Sequence, residues 1–257
     1  MKKILTLIII TLVLLGCNED EFLENYPTTS TVSEEFYENP QDAAEGLTSV
    51  YNMLLRDDWW SPRIYAEIAS DNCAGGAGTG DGGGFQRVDR GVQWPDANAH
   101  QEAWGIYYGG VFRANSYLEN EGNIDWSGNE KLRLQYQGEA RFLRGYFHFL
   151  LTKMFGEIPL LERTLAPDEI LPRTPAEDIF ASIISDFEFA AENTLPTYYG
   201  GLPNKDAGRV TQWAAKAMIG RAYLFYSGYY NYPEIYDFTA EDALENIEDV
   251  INNSGHS

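Results

Sequence analysis

Apolar residues recur at helical spacing along most of the chain from residue 39 onwards. Asn39 is the expected N-cap of the first such segment, because Pro40 follows at the first helical position and Asp42 lies three residues after the cap. The stripe that follows has members three and four positions apart, which places them on one face of a helix. Its members are Ala43, Leu47, Val50 and Leu54.

Later segments repeat this pattern. Residues 99–119 have a helical period, and residues 131–155 have a stronger one, with an apolar face made of Tyr136, Ala140, Leu143, Phe147, Leu150 and Met154. Three further stripes consist of Ile179, Ile183, Phe187 and Ala190; of Trp213, Ala217, Gly220 and Leu224; and of Ala243, Ile247, Val250 and Ile251. The small residues of the middle stripe favour a close approach between helices.

Capping signals mark two of these helix starts. Thr174 to Glu177 matches a capping box with proline at the first turn, and Thr239 to Asp242 resembles a second capped start. Period-2 alternation is almost absent, and Glu157 to Leu161 is at most a short extended piece. The chain is therefore predicted to be mainly α, a series of antiparallel helices with short joins.

Residues 56–96 interrupt the helical pattern. They contain Trp59-Trp60, ten residues rich in glycine at 75–84, and Trp94-Pro95. Glycine at this density predicts a flexible surface loop without a packed element. The stretch is not a phosphate-binding loop, because no Gly-Lys-Ser/Thr follows it.

The N-terminal segment carries an export signal. Lys2 and Lys3 precede an apolar run from Ile4 to Leu15, which is too short to span the roughly 30 Å hydrocarbon core of a bilayer. The run ends in Leu-Leu-Gly-Cys, which resembles a bacterial lipobox with Cys17 as the lipidated residue. We expect a signal peptide over residues 1–16 and an acidic tether over residues 17–32. The alternative is an ordinary signal peptide with a chance cysteine.

The charge limits the partners of the protein. Its formal net charge is −21, and removing Lys2 and Lys3 from the 18 basic residues leaves 16 against 39 acidic ones. Such a surface repels phosphate backbones, so nucleic acid is excluded as a partner, and anionic polysaccharides are disfavoured. Cys73, the second of two cysteines, has no partner if Cys17 is lipidated, and we expect it to be a small packed residue.

No motif indicates catalysis, a metal or a cofactor. The chain has neither Gly-x-Ser-x-Gly nor His-Glu-x-x-His, and His100 and His256 lack ligand spacing. His148 lies among aromatic residues and is expected to be packed. The charges at Glu139, Arg141 and Arg144 interrupt a largely apolar helix, so we expect them to be paired scaffold residues. The protein is predicted not to be an enzyme.

Several blocks resemble the SusD/RagB family of outer-membrane nutrient-binding lipoproteins. The most characteristic blocks are GEARFLRGYFHF at 138–149 and FGEIPLL at 155–161. Further matches follow the family order: Ser70–Asn72, Trp104–Tyr108 with Asn115, Arg173–Ile179, Asp186, Leu195-Pro196, Gly208–Thr211 and Ala214–Ala217. The resemblance covers nearly the whole chain from about residue 33.

The resemblance implies a scaffold of tetratricopeptide-like helix pairs with long irregular ligand-binding loops. Residues 33–257 would be the N-terminal part of a longer helical domain, with the C-terminal part missing. It further implies a lipid anchor on the outer membrane, facing the exterior. The ligand would be an oligosaccharide or polysaccharide, and the partner a TonB-dependent, SusC-like transporter.

Aromatic side chains are the informative candidates for binding, because the C–H faces of sugar rings stack on them. Trp94 is the leading platform, since the resemblance places ligand aromatics in that neighbourhood, and Trp59 and Trp60 are second candidates. Possible polar neighbours are Asp71, Asn98 and Arg90. Trp104 and Trp213 lie on helical stripes and are expected to belong to the core.

Two other functions remain open. A helical-repeat module could dock on the transporter without a complete ligand site of its own. A secreted glycoside hydrolase is a third possibility, although the 39 carboxylates of the chain do not by themselves distinguish a catalytic pair.

Overall fold

The structure, a computed structural model, describes residues 36–56, 62–76, 78, 80–92, 101–197, 201–203 and 206–256. Its contacts divide the chain into residues 1–37 and 38–257. In the first part only Phe36 and Tyr37 are described, and their rings meet edge-on with centroids 5.0 Å apart. The domain boundaries predicted after residues 16 and 32 lie outside the described residues.

The described residues of the second part form eight α-helices and no strand. They are α1 (Pro40–Tyr51), α2 (Pro62–Ala69), α3 (Gly83–Asp89), α4 (Gln101–Asn120), α5 (Glu130–Phe155), α6 (Ala176–Asn193), α7 (Gln212–Tyr230) and α8 (Ala240–Asn253). From α4 onwards each helix packs on the next one in the chain, α1 packs on α4 and α5, and α2 packs on α3. The prediction of a mainly α fold of tetratricopeptide-like helix pairs is confirmed.

Two predicted caps are present. The side-chain oxygen of Asn39 accepts hydrogen bonds from the N–H groups of Gln41 and Asp42, and the Asp42 carboxylate accepts one from the Asn39 N–H. Thr239 and Asp242 make the same reciprocal arrangement at the start of α8. These bonds satisfy N–H groups that lack partners at a helix N-terminus.

The predicted cap of α6 is wrong. Pro175, in an extended conformation, is the N-cap, and the helix begins at Ala176 without a side-chain cap. Thr174 lies one residue too early, and its hydroxyl oxygen accepts a hydrogen bond from the N–H of Leu160, 3.2 Å away. Thr174 therefore holds the extended segment before α6, an interaction between distant residues that a local pattern cannot reveal.

Some residues of the predicted apolar stripes are exposed instead of buried, because the helix tightens there or lies at the surface. Leu54 is 45% exposed because the chain narrows into a 3₁₀ turn at Asn52–Leu55, which buries Met53 instead. Leu224 on α7 and Ile251 on α8 are also exposed. The other members of the α1 and α6 stripes are buried, as predicted: Ala43, Leu47, Val50, Ile179, Ile183, Phe187 and Ala190.

Helix α5 is the centre of the fold and is buried on nearly every side, not on a single face. Between Tyr136 and Thr152 it buries aromatic, aliphatic and charged side chains alike. Its neighbours approach closely: a Cβ atom at Gly110 of α4 would overlap the ring of Phe147. In the same way a Cβ at Gly220 of α7 would overlap Ile247 of α8, which confirms the close approach predicted there.

The glycine-rich stretch is partly packed, contrary to the prediction. Helix α3 begins at Gly83, inside that stretch, and packs on α2 through Tyr65, Ile68 and Val88. Gly76 adopts φ +91°, a conformation that favours glycine. Cys73 was expected to be packed but is exposed, because it follows α2 in a turn.

Gly110→Ala should destabilise the protein because the added methyl group overlaps the Phe147 ring at the contact between α4 and α5. We expect a loss of about 1–3 kcal/mol in the free energy of unfolding, the usual cost of overpacking a core. Gly105→Ala is the matched control on the same helix, because its Cβ would meet no atom within 4 Å. That change should stabilise by about 0.5–1 kcal/mol. Equal effects in urea denaturation would contradict this packing.

Candidate functional site

An extended segment between α5 and α6, residues 158–164, forms one wall of the candidate site and is called the strap. In the part of the chain that the structure describes, no strand pairs with it, so its backbone groups need other partners. Helix α4 supplies several of them. The hydroxyl of Tyr108 and the amide nitrogen of Asn115 donate hydrogen bonds of 2.7–3.0 Å to carbonyl oxygens of Pro159, Leu161 and Arg163.

Arg144 of α5 holds the same strap from inside. Its guanidinium donates two hydrogen bonds to the Asp186 carboxylate of α6, at 2.8 and 2.7 Å. It also donates to Asn115 Oδ1 at 3.0 Å and to the Glu162 carbonyl at 3.2 Å. Although burial opposes its charge, the hydrogen bonds and charge of Asp186 hold the pKa of Arg144 above its usual value. Three groups thus accept four hydrogen bonds from one buried cation, which has five N–H donors.

Glu139 forms a second buried network. Its carboxylate accepts hydrogen bonds from the Tyr51 hydroxyl at 2.7 Å, from Gln135 at 2.9 Å and from Arg209 at 2.9 Å. The Tyr51 oxygen in turn accepts a bond from the Val210 N–H. These contacts join α1, α5 and the segment before α7. The prediction that both charges are paired is confirmed, because Glu139 pairs with Arg209 and Arg144 pairs with Asp186. Both residues serve the scaffold.

His148 is fully buried, as predicted, on the strap side of α5. Its Nε2 accepts a hydrogen bond from the N–H of Leu161 at 3.4 Å, so that nitrogen carries no proton. Burial, and then the positive charge of Arg144, lower the pKa of His148 to about 3. The imidazole is therefore neutral and closed to ligands, which suits a packing role.

The strap faces an aromatic ridge on α4. Trp104, Tyr108 and Phe112 are four residues apart and so lie on one side of the helix. The rings of Trp104 and Tyr108 are 4.7 Å apart, and Phe155 supports Trp104 edge-on at 5.0 Å. The Trp104 side chain is nevertheless 38% exposed, and Phe112 is 56% exposed. The ridge thus presents aromatic faces to solvent.

Ridge and strap enclose a groove of about 380 Å³, here called the α4 groove. Polar groups stand at its edge. Arg163 and Glu169 form an ion pair that includes a 2.9 Å hydrogen bond, and Thr164 is held by two 2.7 Å bonds to Glu119. Aromatic faces with hydrogen-bonding groups at the rim are suited to a ligand that has both apolar faces and hydroxyls. The remaining lining residues are Pro159, Leu161, Leu165, Ile170 and Leu171.

The α4 groove was missed by sequence reasoning, which assigned Trp104 to the core. Helical spacing identified the face of α4 that carries Trp104 but not what packs against that face. The strap leaves the tryptophan partly exposed to solvent. The spacing of Trp104, Tyr108 and Phe112 was the available signal. Trp213 is buried as predicted, and its indole N–H donates to the Pro196 carbonyl at 2.7 Å.

Two of the predicted site residues are described, and neither lines the α4 groove. Asp71 is exposed in the turn after α2 with φ 60°, and Arg90 is exposed at the end of α3. Both therefore belong to the small α2–α3 unit. The other predicted residues lie outside the described residues: Cys17, Trp59, Trp60, Trp94 and Asn98.

The described residues hold no group of histidine, cysteine, aspartate or glutamate side chains arranged for a metal ion. Over the same residues, no helix is both long enough and apolar enough to cross a membrane.

Replacing His148 should change how stability depends on pH. The folded histidine stays neutral down to about pH 3, whereas the unfolded chain takes up a proton near pH 6.5. Lowering the pH from 6.5 therefore favours the unfolded wild-type chain, by up to about 1.4 kcal/mol per pH unit. His148→Gln removes this contribution. We expect its stability relative to wild type to rise from pH 7.5 to pH 5 in urea denaturation; a constant difference would refute the assignment.

Comparison with known proteins identifies relatives over nearly the whole chain. Residues 21–224 match the model of a SusD-like family described as starch-binding and associating with the outer membrane. A SusD-like protein of Bacteroides ovatus is 28% identical over 273 residues, covering 99% of this chain and 45% of the relative. One from Formosa agariphila is 23% identical, covering 97% and 49%. The chain thus spans about half the length of these relatives.

Solved structures share the fold. A laminarin-binding SusD-like protein superposes with a TM-score of 0.71 at 22% identity, over 86% of this chain and 45% of its own. A SusD homologue from Bacteroides thetaiotaomicron gives 0.71 at 22% identity, over 89% and 44%. A structure described with a xylogluco-oligosaccharide gives 0.64 at 26% identity, over 83% and 40%.

The family model covers more than three quarters of the chain, and it includes the buried Arg144–Asp186 pair, the strap and the ridge of α4. On this match, and on the shared helical fold, the protein belongs to the SusD-like family.

Proposed function

We propose that this protein is a cell-surface lipoprotein that captures oligosaccharides for a TonB-dependent outer-membrane transporter and does not cleave them. The observation that carries the proposal is the open aromatic ridge of Trp104, Tyr108 and Phe112 opposite a polar rim. The apolar C–H faces of a sugar ring can stack on the ridge, and its hydroxyls can form hydrogen bonds with the rim. Membership of the SusD-like family supports the same function.

The energetics suit capture and release. Stacking on an aromatic ring contributes about 0.5–1.5 kcal/mol beyond area burial, as in aromatic pairs. Three platforms then supply a few kcal/mol, and a millimolar affinity corresponds to about −4 kcal/mol. A protein that passes its ligand to a transporter needs affinity of this order.

We propose a neutral glycan as the ligand. The net charge of −21 disfavours anionic polysaccharides, and the rim offers the carboxylates of Glu119 and Glu169 beside one guanidinium. Laminarin and a xylogluco-oligosaccharide, which appear in the descriptions of two structural neighbours, are reasonable first probes, together with starch.

The residues predicted from the sequence belong to the same proposal. Trp94 and Asn98 lie seven and three residues before the start of α4 in the sequence, and Asp71 and Arg90 are exposed on the α2–α3 unit. We propose that they extend the ligand surface, with Trp59 and Trp60 as further platforms.

Trp104→Ala and Phe112→Ala should each weaken oligosaccharide binding about two- to tenfold, because each removes one stacking face. Trp94→Ala should have a similar effect. Leu224→Ala on α7 is the control, since Leu224 is 68% exposed and lies outside the groove. Affinity electrophoresis and titration calorimetry measure the change.

The same variants separate the two leading functions. Under glycan capture, all three aromatic variants lose affinity while co-purification with the transporter is kept. Unchanged glycan binding together with lost co-purification would favour the docking module instead. Hydrolysis of any probe by the purified protein would contradict a purely binding role.

Cys17→Ser should abolish lipid attachment, because the serine hydroxyl cannot take the thioether-linked lipid. We propose residues 1–16 as the signal peptide and 17–32 as the tether, so the variant should move from the detergent phase to the aqueous phase in detergent partitioning. Cys73→Ser is the matched control, since Cys73 is an exposed thiol elsewhere in the chain. A Cys17→Ser protein that stays with the membrane would refute the anchor.

A further inference from the structure

A second pocket lies where α7 ends, and none of its lining residues belongs to the α4 groove. Its lining combines the last turn of α7, the loop that follows and the start of α6. The volume is about 540 Å³. We call it the tyrosine pocket; it is lined by Glu157, Pro175, Ala176, Glu177, Tyr226, Tyr230, Tyr232, Pro233, Glu234 and Tyr236.

Tyrosine rings form much of this lining. Tyr226 is buried at the centre, with the ring of Tyr230 at 5.5 Å and that of Tyr232 at 6.2 Å. Tyr232 and Tyr236 are more than half exposed, so aromatic surface remains accessible from solvent. The tyrosine-rich segment from Tyr226 to Tyr232 is thus both the end of a helix and the wall of a pocket.

Carboxylates supply the charge of this lining. Glu157, Glu177 and Glu234 are acidic, and none of the lining residues is basic. Burial, and then the charge of Glu177, raise the pKa of Tyr226. The pocket therefore combines electron-rich ring faces with carboxylates, and its lining contains no basic residue.

Hydrogen bonds hold the loop that lines the pocket. Asn231 ends α7 at φ 60°, and the Tyr223 hydroxyl donates a 2.6 Å hydrogen bond to the Pro233 carbonyl. Tyr236 has φ 49°, an unusual value for a residue with a large side chain. Its N–H donates to Glu177 and its hydroxyl to Asp178, which keeps the strained residue in place.

From these observations we propose that the tyrosine pocket binds an organic cation, an ammonium or guanidinium group carried on a small frame. Such cations are attracted to tyrosine faces and gain further from nearby carboxylates. The pocket shares no residue with the α4 groove, so this site does not depend on the proposed glycan capture.

The cation has two possible sources, a free amine such as an amino sugar or the basic side chain of a polypeptide. Titration calorimetry and NMR shift mapping of the purified chain can distinguish them. Glucosamine is compared with N-acetylglucosamine, and Nα-acetyl-lysinamide with its Nε-acetylated form. Each pair has a similar shape, but only one member carries the ammonium charge.

We expect an ammonium probe to bind at least tenfold more tightly than its acetylated counterpart, with an affinity that falls as salt is added. Preference for glucosamine would indicate an amino sugar, and preference for the lysine derivative a basic side chain. If both charged probes fail to bind, or bind no better than the neutral ones, the proposal is wrong.

Variants locate the site. Tyr232→Leu keeps an apolar side chain but removes the ring, and should weaken the charged probe about two- to fivefold, the equivalent of about 0.5–1 kcal/mol. Tyr229→Leu is the control, since Tyr229 is 69% exposed and lies outside the lining. Glu234→Gln should also weaken binding, whereas Glu241→Gln should not. Equal effects of site and control variants would overturn the assignment.

Trp104→Ala should leave the binding of the charged probe unchanged, so failure of the cation proposal and failure of glycan capture are separable.

Discussion

The buried guanidinium of Arg144 is the interaction on which the geometry of the α4 groove depends. One side chain of α5 contacts α6 through Asp186, α4 through Asn115 and the strap through the Glu162 carbonyl. Removing one partner of a buried ion pair costs about 3–5 kcal/mol, because the other charge stays behind without compensation. The bonds of Arg144 therefore fix the relative position of three helices and of the strap, which pairs with no strand among the described residues. The strap held in this way forms the wall of the α4 groove opposite the aromatic ridge.

Local signals in the sequence were enough to predict most of the helical scaffold. The caps at Asn39 and Thr239 involve residues three positions apart, so a short window contains all the required chemistry. The start of α6 was misplaced because the Thr174 hydroxyl serves Leu160, fourteen residues away. Leu224 was assigned to a buried stripe because periodicity predicts a face without showing whether another helix covers it. The glycine-rich stretch was misread for a related reason, since α2 stabilises a short helix there that composition alone does not favour.

The sites were less predictable than the scaffold. Charges at Glu139 and Arg144 could be assigned to pairing, because an unpaired charge on a buried helix is too costly. Their partners are 70 and 42 residues away, so only the fold reveals them. The environment of Trp104 could not be predicted in this way, since a tryptophan on a helical stripe has the same pattern whether it is packed or exposed. The resemblance to a family directed attention to Trp94 and its neighbours, whereas the strap and the tyrosine pocket required the arrangement of segments in space.

Hydrogen exchange of an Arg144→Lys variant tests the central claim most directly. Lysine keeps the positive charge, but the three N–H donors on its single nitrogen cannot reproduce the four hydrogen bonds that Arg144 makes from three nitrogens. If Arg144 holds the strap, the backbone amides of Leu160, Leu161 and Thr164, which donate hydrogen bonds there, should exchange markedly faster than in wild type, while those of α7 and α8 stay protected. Unchanged protection of the strap in a folded Arg144→Lys protein would show that the α4 groove is maintained without this interaction.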